Sequence, residues 1–353
     1  KEIYEQPAII SDILNKYLNP VNSNINFDKF DIDLSKIKSL RFVAFGSSYY
    51  SACACKILFE NIADIELSID LASEFNYKKI KYKNDLFVYI SQSGETADTL
   101  KVLKFAKQKK IKNLVISNAE HSSMQELSDY FINISAGPEI GVASTKAFTA
   151  QLLILNLIAI KTSYEKGISP KEKYLENCNN LITLASMMSE ILDNVVEFEK
   201  TSKKLSQVKN IIYLGKSQLY PIALEGSLKL KEISYIPSQA YAAGELKHGP
   251  IALIDKNVYI IALVVDDENM SKIISNLEEV KAREGNLVVI TNNNCLKHLS
   301  HLTNDIIILQ NSHNFVAPIL YTIPVQLLAY FVALYKGTDI DQPRNLAKSV
   351  TVE

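Results

Sequence analysis

A turn rich in hydroxyl groups, residues 91–96 (Ser-Gln-Ser-Gly-Glu-Thr), follows an apolar run at 86–90 that is typical of a buried strand. Behind the turn, apolar residues recur at helical spacing over 97–106. Such a turn is suited to bind an anion, because the helix N-terminus offers unpaired N–H groups and a partial positive charge. It contains no lysine, which favours a sugar phosphate over a nucleotide triphosphate. The alternative is a plain helix cap, with Ser93 as the N-cap residue.

Acid–base chemistry is suggested by a second group, Glu225, Lys229 and Glu232, whose spacing places all three on one helical face. A carboxylate with an ammonium group one turn away is suited to act as a general base. The alternative is a solvent-exposed row of ion pairs, which is the usual role of such spacing. His248 lies in a glycine-bounded loop, a context that suits either an imidazole transferring protons near neutral pH or an ordinary surface histidine.

Two further segments contain candidate residues. Residues 136–146 form a loop of small residues that opens a long helix, and Ser144 or Thr145 is expected to cap it. The C-terminal segment 341–353 has neither helical nor strand periodicity. Lys348 in this tail is expected to be solvent-exposed unless the tail folds into a site that desolvates the amine. No metal site is predicted, since His298 and His301 lack partners at metal-ligand spacing.

Length and composition indicate a globular protein of about two domains, since the chain has 353 residues. Its 38 basic and 39 acidic residues give a net charge of −1, so neither nucleic acid nor a membrane surface is expected as a partner. Scattered cysteines, with Cys53 and Cys55 on different faces of a predicted helix, favour a reducing cytoplasm. Because the chain begins at Lys1 without a signal peptide, we expect a piece of a longer protein.

One uncharged segment, 316–335, is apolar enough to raise the question of a membrane span. It contains Pro318 and Pro324, and a helix that starts near Pro324 would be too short to cross a bilayer. The segment is therefore predicted to be a core helix.

A diverged internal repeat organises the chain, because the strand and glycine turn at 41–48 recur at 211–217, and the strand at 113–118 recurs at 286–292. Strands that alternate with helices in both copies predict an α/β fold with two tandem units, each a parallel sheet flanked by helices. The predicted boundaries are an N-terminal helix and linker at 1–29, a first unit at 30–165, connecting helices at 166–204, a second unit at 205–335 and a tail at 336–353.

The repeat also predicts which unit binds the anion. Where the first copy has the hydroxyl turn, the second has Asp266, Asp267 and Glu268, which would repel a phosphate. Ligands of open parallel sheets lie outside the carboxyl ends of the strands. Ser47 and Ser48, which follow the first strand, are therefore expected near the hydroxyl turn of the first unit.

Six segments together resemble the isomerase half of glutamine–fructose-6-phosphate aminotransferases, namely 1–7, 91–99, 139–149, 225–236, 241–250 and 341–353. The resemblance implies a pair of sugar isomerase (SIS) units. It assigns the phosphate of fructose 6-phosphate to Ser91, Gln92, Ser93 and Thr96. It assigns contacts with the rest of the substrate to Ser47, Ser48, Val142, Ser144 and Ala347. Members of the family usually have Gly-Thr-Ser where this chain has Gly-Ser-Ser at 46–48, and the hydroxyl is retained.

The resemblance also implies catalytic roles. Lys348 would form a Schiff base with the C2 carbonyl, and Glu232 would move a proton between C1 and C2, with Lys229 and Glu225 in support. His248 would open the sugar ring from the neighbouring subunit, which implies a homodimer. No cofactor is implied, and Arg344 would anchor the tail.

The function implied is conversion of fructose 6-phosphate, with ammonia from a glutaminase domain, to glucosamine 6-phosphate for UDP-N-acetylglucosamine biosynthesis. The glutaminase domain of the family has no counterpart in this sequence. Glucosamine 6-phosphate and glucose 6-phosphate are further expected ligands. The alternatives are a non-catalytic sugar-phosphate sensor and an enzyme acting on fructosamine phosphates.

Overall fold

The residues described by a computed structural model, 1–77 and 85–349, form two parallel five-stranded sheets flanked by helices. The expectation of an α/β fold with two tandem units is confirmed. Residues 78–84 of the first predicted unit and 350–353 of the predicted tail lie outside the described residues.

The first unit alternates strands with helices. In chain order, the elements up to its end are α1 (Glu2–Tyr17), β1 (Ser39–Ala44), α2 (Gly46–Ala63), β2 (Glu66–Leu71), β3 (Asp85–Ser91), α3 (Ala97–Gln108), β4 (Asn113–Ser117), α4 (Ser123–Leu127), β5 (Tyr130–Asn133) and α5 (Lys146–Glu165). The strand order is β2-β1-β3-β4-β5, with every pair parallel. The apolar run 86–90 is buried throughout because helices cover both faces of the sheet.

Three helices connect this unit to the second: α6 (Lys171–Ile182), α7 (Leu184–Asp193) and α8 (Val196–Leu205). The second unit then contains β6 (Ile211–Gly215), α9 (Tyr220–Ser234), β7 (Ser238–Ala242), β8 (Tyr259–Val264), α10 (Met270–Lys281), β9 (Asn286–Asn292), α11 (Leu296–Leu299), β10 (Ile306–Leu309) and α12 (Ala317–Lys336). Its strand order is β10-β9-β8-β6-β7, again with all pairs parallel.

The two sheets have the same topology. Counted from the first strand of each unit, both orders read 2-1-3-4-5, in agreement with the internal repeat. In this topology the connections leave the first and third strands on opposite faces of the sheet, which opens a crevice at their carboxyl ends. The turns that follow β1 and β3 in the first unit therefore flank one crevice.

Two helices, α5 and the segment Asn314–Lys336 that contains α12, are long and apolar enough to span a membrane by composition. Inside the protein, 89% and 94% of their most apolar windows are buried, as expected for core helices. The predicted start near Pro324 is wrong, since α12 begins at Ala317 and Pro324 lies within it. Proline is favoured in the first turn of a helix, and in α12 it is Pro318 that lies in that turn.

Helix α9 packs closely on the second sheet and on α12 at Gly226. A Cβ atom built there would lie 2.8 Å from Tyr213 Cε1 and 2.9 Å from Val325 Cβ. Such distances leave no room for a methyl group in a close-packed interior.

We expect Gly226→Ala to lower the free energy of unfolding by up to about 2 kcal/mol, because overpacking costs about 1–3 kcal/mol and alanine gains roughly 1 kcal/mol over glycine in a helix. Urea unfolding followed by circular dichroism measures the change. Gly244→Ala is the control, because no atom lies within 4 Å of a Cβ built at Gly244. A stabilised Gly226→Ala variant would contradict the close packing.

Candidate active site

A cavity of about 310 Å³ opens at the carboxyl ends of β1 and β3, against α9 of the second unit. Its walls combine the turns after both strands, one face of α9, and part of the C-terminal tail. Of the residues predicted to form the site, those that line it are Ser47, Ser48, Ser91, Gln92, Ser93, Thr96, Val142, Ser144, Lys229, Glu232, Ala347 and Lys348. The cavity is also lined by residues that sequence reasoning did not select, among them Asp98, Leu228, Leu346 and Ser349.

The hydroxyl turn is held by its own side chains. Ser91 Oγ accepts a hydrogen bond from Gly94 N at 3.0 Å and lies 3.2 Å from Thr96 Oγ1. Ser93 Oγ accepts from Glu95 N at 3.2 Å. The N-cap residue of α3 is Thr96, and its side chain makes no capping bond, so the alternative of Ser93 as N-cap is wrong. The turn therefore presents hydroxyl groups to the cavity at the N-terminus of an uncapped helix, which is favourable for an anion.

Gly94 occupies a position in the hydroxyl turn that favours glycine. Its φ of +68° lies in the left-handed region, and a Cβ would lie 2.6 Å from Ser122 Cβ. The neighbouring Glu95 does not bring its charge to the cavity, since its carboxylate accepts a hydrogen bond from Ser123 N at 2.7 Å. That contact, at the start of α4, removes a carboxylate that would repel an anionic ligand.

The two units are joined at the cavity by a hydrogen bond. Ser47 Oγ, in the first turn of α2, donates to Glu225 Oε1 of α9 at 2.9 Å. Ser48 Oγ accepts from Gln151 Nε2 of α5 at 3.0 Å. These contacts fix both serines at the wall of the cavity.

Beside the cavity, α9 contributes a buried cluster of charges. Lys229 Nζ lies 2.7 Å from Glu232 Oε2 and 3.5 Å from Glu225 Oε1. Glu225 and Lys229 are buried and Glu232 is half-buried, so the alternative of a solvent-exposed row of ion pairs is wrong. Within the described part of the chain, Glu225 Oε2 has no hydrogen-bond partner.

Two carboxylates share one ammonium group in this cluster, and the pKa values reflect that. Burial raises the pKa of Glu225 to about 7, against the opposing attraction of Lys229. Burial alone would lower the pKa of Lys229, but Glu225 and then Glu232 outweigh it and raise that pKa above its usual value. The cluster therefore contains a carboxyl group that can change protonation near neutral pH beside a permanent cation.

The tail brings Lys348 to the edge of the cavity. Its Nζ donates to Glu139 Oε2 at 2.5 Å and to the carbonyl oxygen of Gly141 at 2.7 Å. Ser349 Oγ lies 3.1 Å from Ser93 Oγ of the hydroxyl turn. The tail is tied down at Arg344, whose backbone N donates to Tyr235 Oη at 2.8 Å and whose guanidinium lies 4.3 Å from the Tyr235 ring centroid.

Glu139 is a buried residue that sequence reasoning missed. Its Oε1 accepts hydrogen bonds from Thr145 N at 2.9 Å and Ala147 N at 3.0 Å, and it therefore caps α5. Neither Ser144 nor Thr145 caps that helix as expected, because Thr145 Oγ1 instead donates to the carbonyl of Ala143. An acid just ahead of a long helix is a recognisable capping signal, whereas its pairing with Lys348 has no local signature.

His248 is not among the residues of this chain that line the cavity. It ends a short 3₁₀ segment, Ala243–His248, that follows β7, and it is exposed. The structure thus unites the hydroxyl turn, the α9 cluster and Lys348, and leaves His248 outside them.

The chain is similar in sequence to proteins with SIS domains. A profile of the SIS domain family matches residues 33–161 and 204–336. The chain is 43% identical over 354 residues to the glutamine–fructose-6-phosphate aminotransferase [isomerizing] of Bartonella quintana (strain Toulouse), matching 100% of this chain and 58% of that protein. It thus spans 58% of the length of this curated relative.

Two solved structures are similar over nearly their whole length. The C-terminal domain of glucosamine-fructose-6-phosphate aminotransferase from Francisella tularensis has a TM-score of 0.91 and 40% identity, covering 97% of both chains. A glucosamine-6-phosphate deaminase from Thermotoga maritima has a TM-score of 0.71 and 24% identity, covering 99% of this chain and 98% of that one. The second likeness shows the fold alone.

We expect the free energy of unfolding to fall as pH rises from about 4.5 to about 7, the ordinary and folded pKa values of Glu225. In that range the folded state retains a proton that the unfolded state has lost. At roughly 1.4 kcal/mol per pKa unit, the change is about 3 kcal/mol at most. Glu225→Gln should remove it, so the variant gains stability relative to wild type between pH 5 and pH 8.

Urea titrations at several pH values measure this difference. The exposed Glu66 provides the matched control, Glu66→Gln, which removes a surface carboxylate in the same way. Parallel stability curves for wild type and Glu225→Gln would show that Glu225 has an ordinary environment.

Proposed function

The chain belongs to the SIS-domain family, in the group that includes the Francisella aminotransferase domain, and on that premise we propose that it is a fructose 6-phosphate isomerase and aminating module. It binds fructose 6-phosphate and, with ammonia supplied by a glutaminase domain, forms glucosamine 6-phosphate. One observation carries the proposal. The hydroxyl turn, the half-buried carboxylate of Glu232 and the amine-bearing tail segment of Lys348 all line the same cavity.

The substrate phosphate binds at the hydroxyl turn. Ser91, Gln92, Ser93 and Thr96 line the cavity there, and the uncapped N-terminus of α3 attracts negative charge. Ser47, Ser48, Val142, Ser144 and Ala347 contact the sugar. Binding energy from the phosphate, which is remote from C1 and C2, orients the reacting carbons.

Lys348 supplies the electron sink. Its amine attacks C2 of the open-chain ketose, water leaves, and a protonated imine forms, which withdraws electrons more strongly than a ketone. Ammonia then displaces the lysine and leaves nitrogen at C2. Glu232 takes the proton from C1 and returns it at C2, while the C1 hydroxyl loses its proton and the imine nitrogen gains one, which converts the C1 alcohol to the aldehyde of glucosamine 6-phosphate.

Lys229 and Glu225 support Glu232. Burying a lysine costs folding free energy unless its charge is paired. Here the ammonium group of Lys229 is paired with Glu232 and holds that carboxylate at the cavity. A sensor that only binds sugar phosphates needs the hydroxyl turn but does not need this cluster, because binding requires no proton transfer. The cluster therefore favours the enzyme over the sensor, and a substrate panel with fructosamine phosphates tests the remaining alternative.

The proposal includes two partners and a compartment. His248, exposed and outside the cavity of its own chain, acts in the site of a second subunit of a homodimer. A glutaminase domain supplies the ammonia. The four cysteines are free thiols, which agrees with the cytoplasm as the compartment.

We expect purified protein to interconvert fructose 6-phosphate and glucose 6-phosphate, and Lys348→Ala to lose at least about 10²-fold in rate, the scale of a positioned catalytic group. Lys348→Arg is the matched control, because it retains the charge but cannot form an imine. A coupled isomerase assay and borohydride trapping of the Lys348 adduct measure both steps. Equal rates for all three proteins would refute the role of Lys348.

Mixing two inactive variants tests the sharing of His248. In a mixed dimer of His248→Ala and Lys348→Ala, one site has both an intact lysine and an intact histidine from the partner. Random exchange should therefore restore about a quarter of wild-type activity. No recovery after verified subunit exchange would place His248 in the site of its own chain or outside the chemistry.

A further inference from the structure

Residues 139–142, named here the bridge loop, hold the amine of Lys348. Glu139 Oε2 and the carbonyl oxygen of Gly141 accept its two hydrogen bonds, at 2.5 Å and 2.7 Å. The direction of the Gly141 carbonyl, together with the Glu139 carboxylate, therefore sets the position of the amine. Ile140, between these two acceptors, is 74% exposed, so no burial of its side chain fixes the loop.

The bridge loop is held at Glu139, which caps α5, and also by a residue of α1. Glu2 Oε1, in the first turn of α1, accepts hydrogen bonds from Ile140 N at 2.5 Å and Gly141 N at 3.2 Å. A carboxylate that bridges two successive N–H groups restrains the peptide planes on both sides of Ile140. A Cβ built on Gly141 would lie 3.1 Å from Glu2 Oε2, so the carboxylate packs directly on this glycine.

Gly141 therefore connects Glu2 with Lys348. Its N–H donates to Glu2, and its carbonyl accepts from the lysine. The next residue, Val142, lines the cavity and donates its N–H to the carbonyl of Asp341 in the tail. The Gly141 carbonyl and the Val142 N–H belong to one peptide group, so without Glu2 that group is held by the tail alone and is less restrained on the side of Ile140.

We infer that Glu2 is a positioning residue for the reaction, which holds the bridge loop so that Gly141 directs the Lys348 amine. The inference rests on the proposed function for its catalytic consequence. Its structural part, the restraint of the Lys348 amine by Glu2, holds for the protein without substrate.

A matched control lies one helical turn further along α1. Glu5 Oε2 accepts a hydrogen bond from the buried Lys146 at 2.7 Å, and no hydrogen bond joins it to the described bridge loop. Glu5→Gln should therefore cost stability without moving Lys348. Comparing the two positions separates loop positioning from a general loosening of α1.

The first experiment needs no substrate. Reductive methylation with formaldehyde and cyanoborohydride, followed by mass spectrometry, measures how readily the Lys348 amine reacts in the unliganded protein. Glu2→Ala should raise the methylation rate at Lys348 several-fold, because a released amine is more accessible to the reagent. Glu2→Gln retains an acceptor oxygen, so its Lys348 should react at a rate between those of Glu2→Ala and wild type. In Glu5→Gln, Lys348 should react at the wild-type rate.

Lys36, whose side chain is 82% exposed, serves as the internal reference and should react equally in every variant. Melting curves establish that each variant is folded at the labelling temperature. An unchanged methylation rate at Lys348 in folded Glu2→Ala overturns the inference, whatever the catalytic activity of the protein. A rise of equal size in Glu5→Gln also overturns it.

The second experiment measures turnover of fructose 6-phosphate. Glu2→Ala should lower kcat on the order of ten-fold, because a displaced amine attacks C2 less often. Its KM should change by less than about two-fold, since the phosphate contacts are untouched. An inactive wild-type protein would refute the proposed function and leave the labelling result to decide on Glu2. An active wild type with an equally active Glu2→Ala would refute the positioning role alone.

Discussion

The burial of one ammonium group between two carboxylates on α9 is the constraint on which the cavity depends. Lys229 and Glu225 are almost free of solvent, and a buried charge without partners would cost several kcal/mol. Helix α2 of the first unit packs against α9, and Ser47 of α2 donates to Glu225 across the boundary between the units. The same contact places the first-unit turns opposite the second-unit carboxylates.

The cluster also separates two kinds of chemistry within one cavity. The hydroxyl turn lies at the N-terminus of α3 and presents donors without a fixed cation, which suits an anionic group. Lys229 is paired with Glu225 and Glu232, and the tail brings a second amine, that of Lys348, to the edge of the cavity. In the proposed enzyme, the hydroxyl turn binds the phosphate and Glu232 transfers the proton within the same cavity.

Both ends of the chain meet at the bridge loop. Glu2 binds its N–H groups, the tail binds its carboxylate and carbonyl, and Glu139 of the same loop caps α5. Because α5 is a buried core helix, the loop is anchored to the core at one side and to both chain ends at the other. In the proposed enzyme, this arrangement couples the position of the reactive amine to the packing of α1.

Local sequence determined much of this protein. Alternating strands and helices, the two glycine turns and the spacing of Glu225, Lys229 and Glu232 each depend on residues within a few positions of one another, so periodicity and turn chemistry predict them. The start of α12 does not follow from local sequence, because Pro318 and Pro324 both satisfy the rule for a first helical turn. Only the tertiary structure decided which charges are buried and which groups meet. Ser47 reaches Glu225 across 178 residues, and Lys348 reaches Glu139 across 209. Contacts at such separation depend on how the two sheets pack, because no local pattern encodes the distance between residues brought together by different elements.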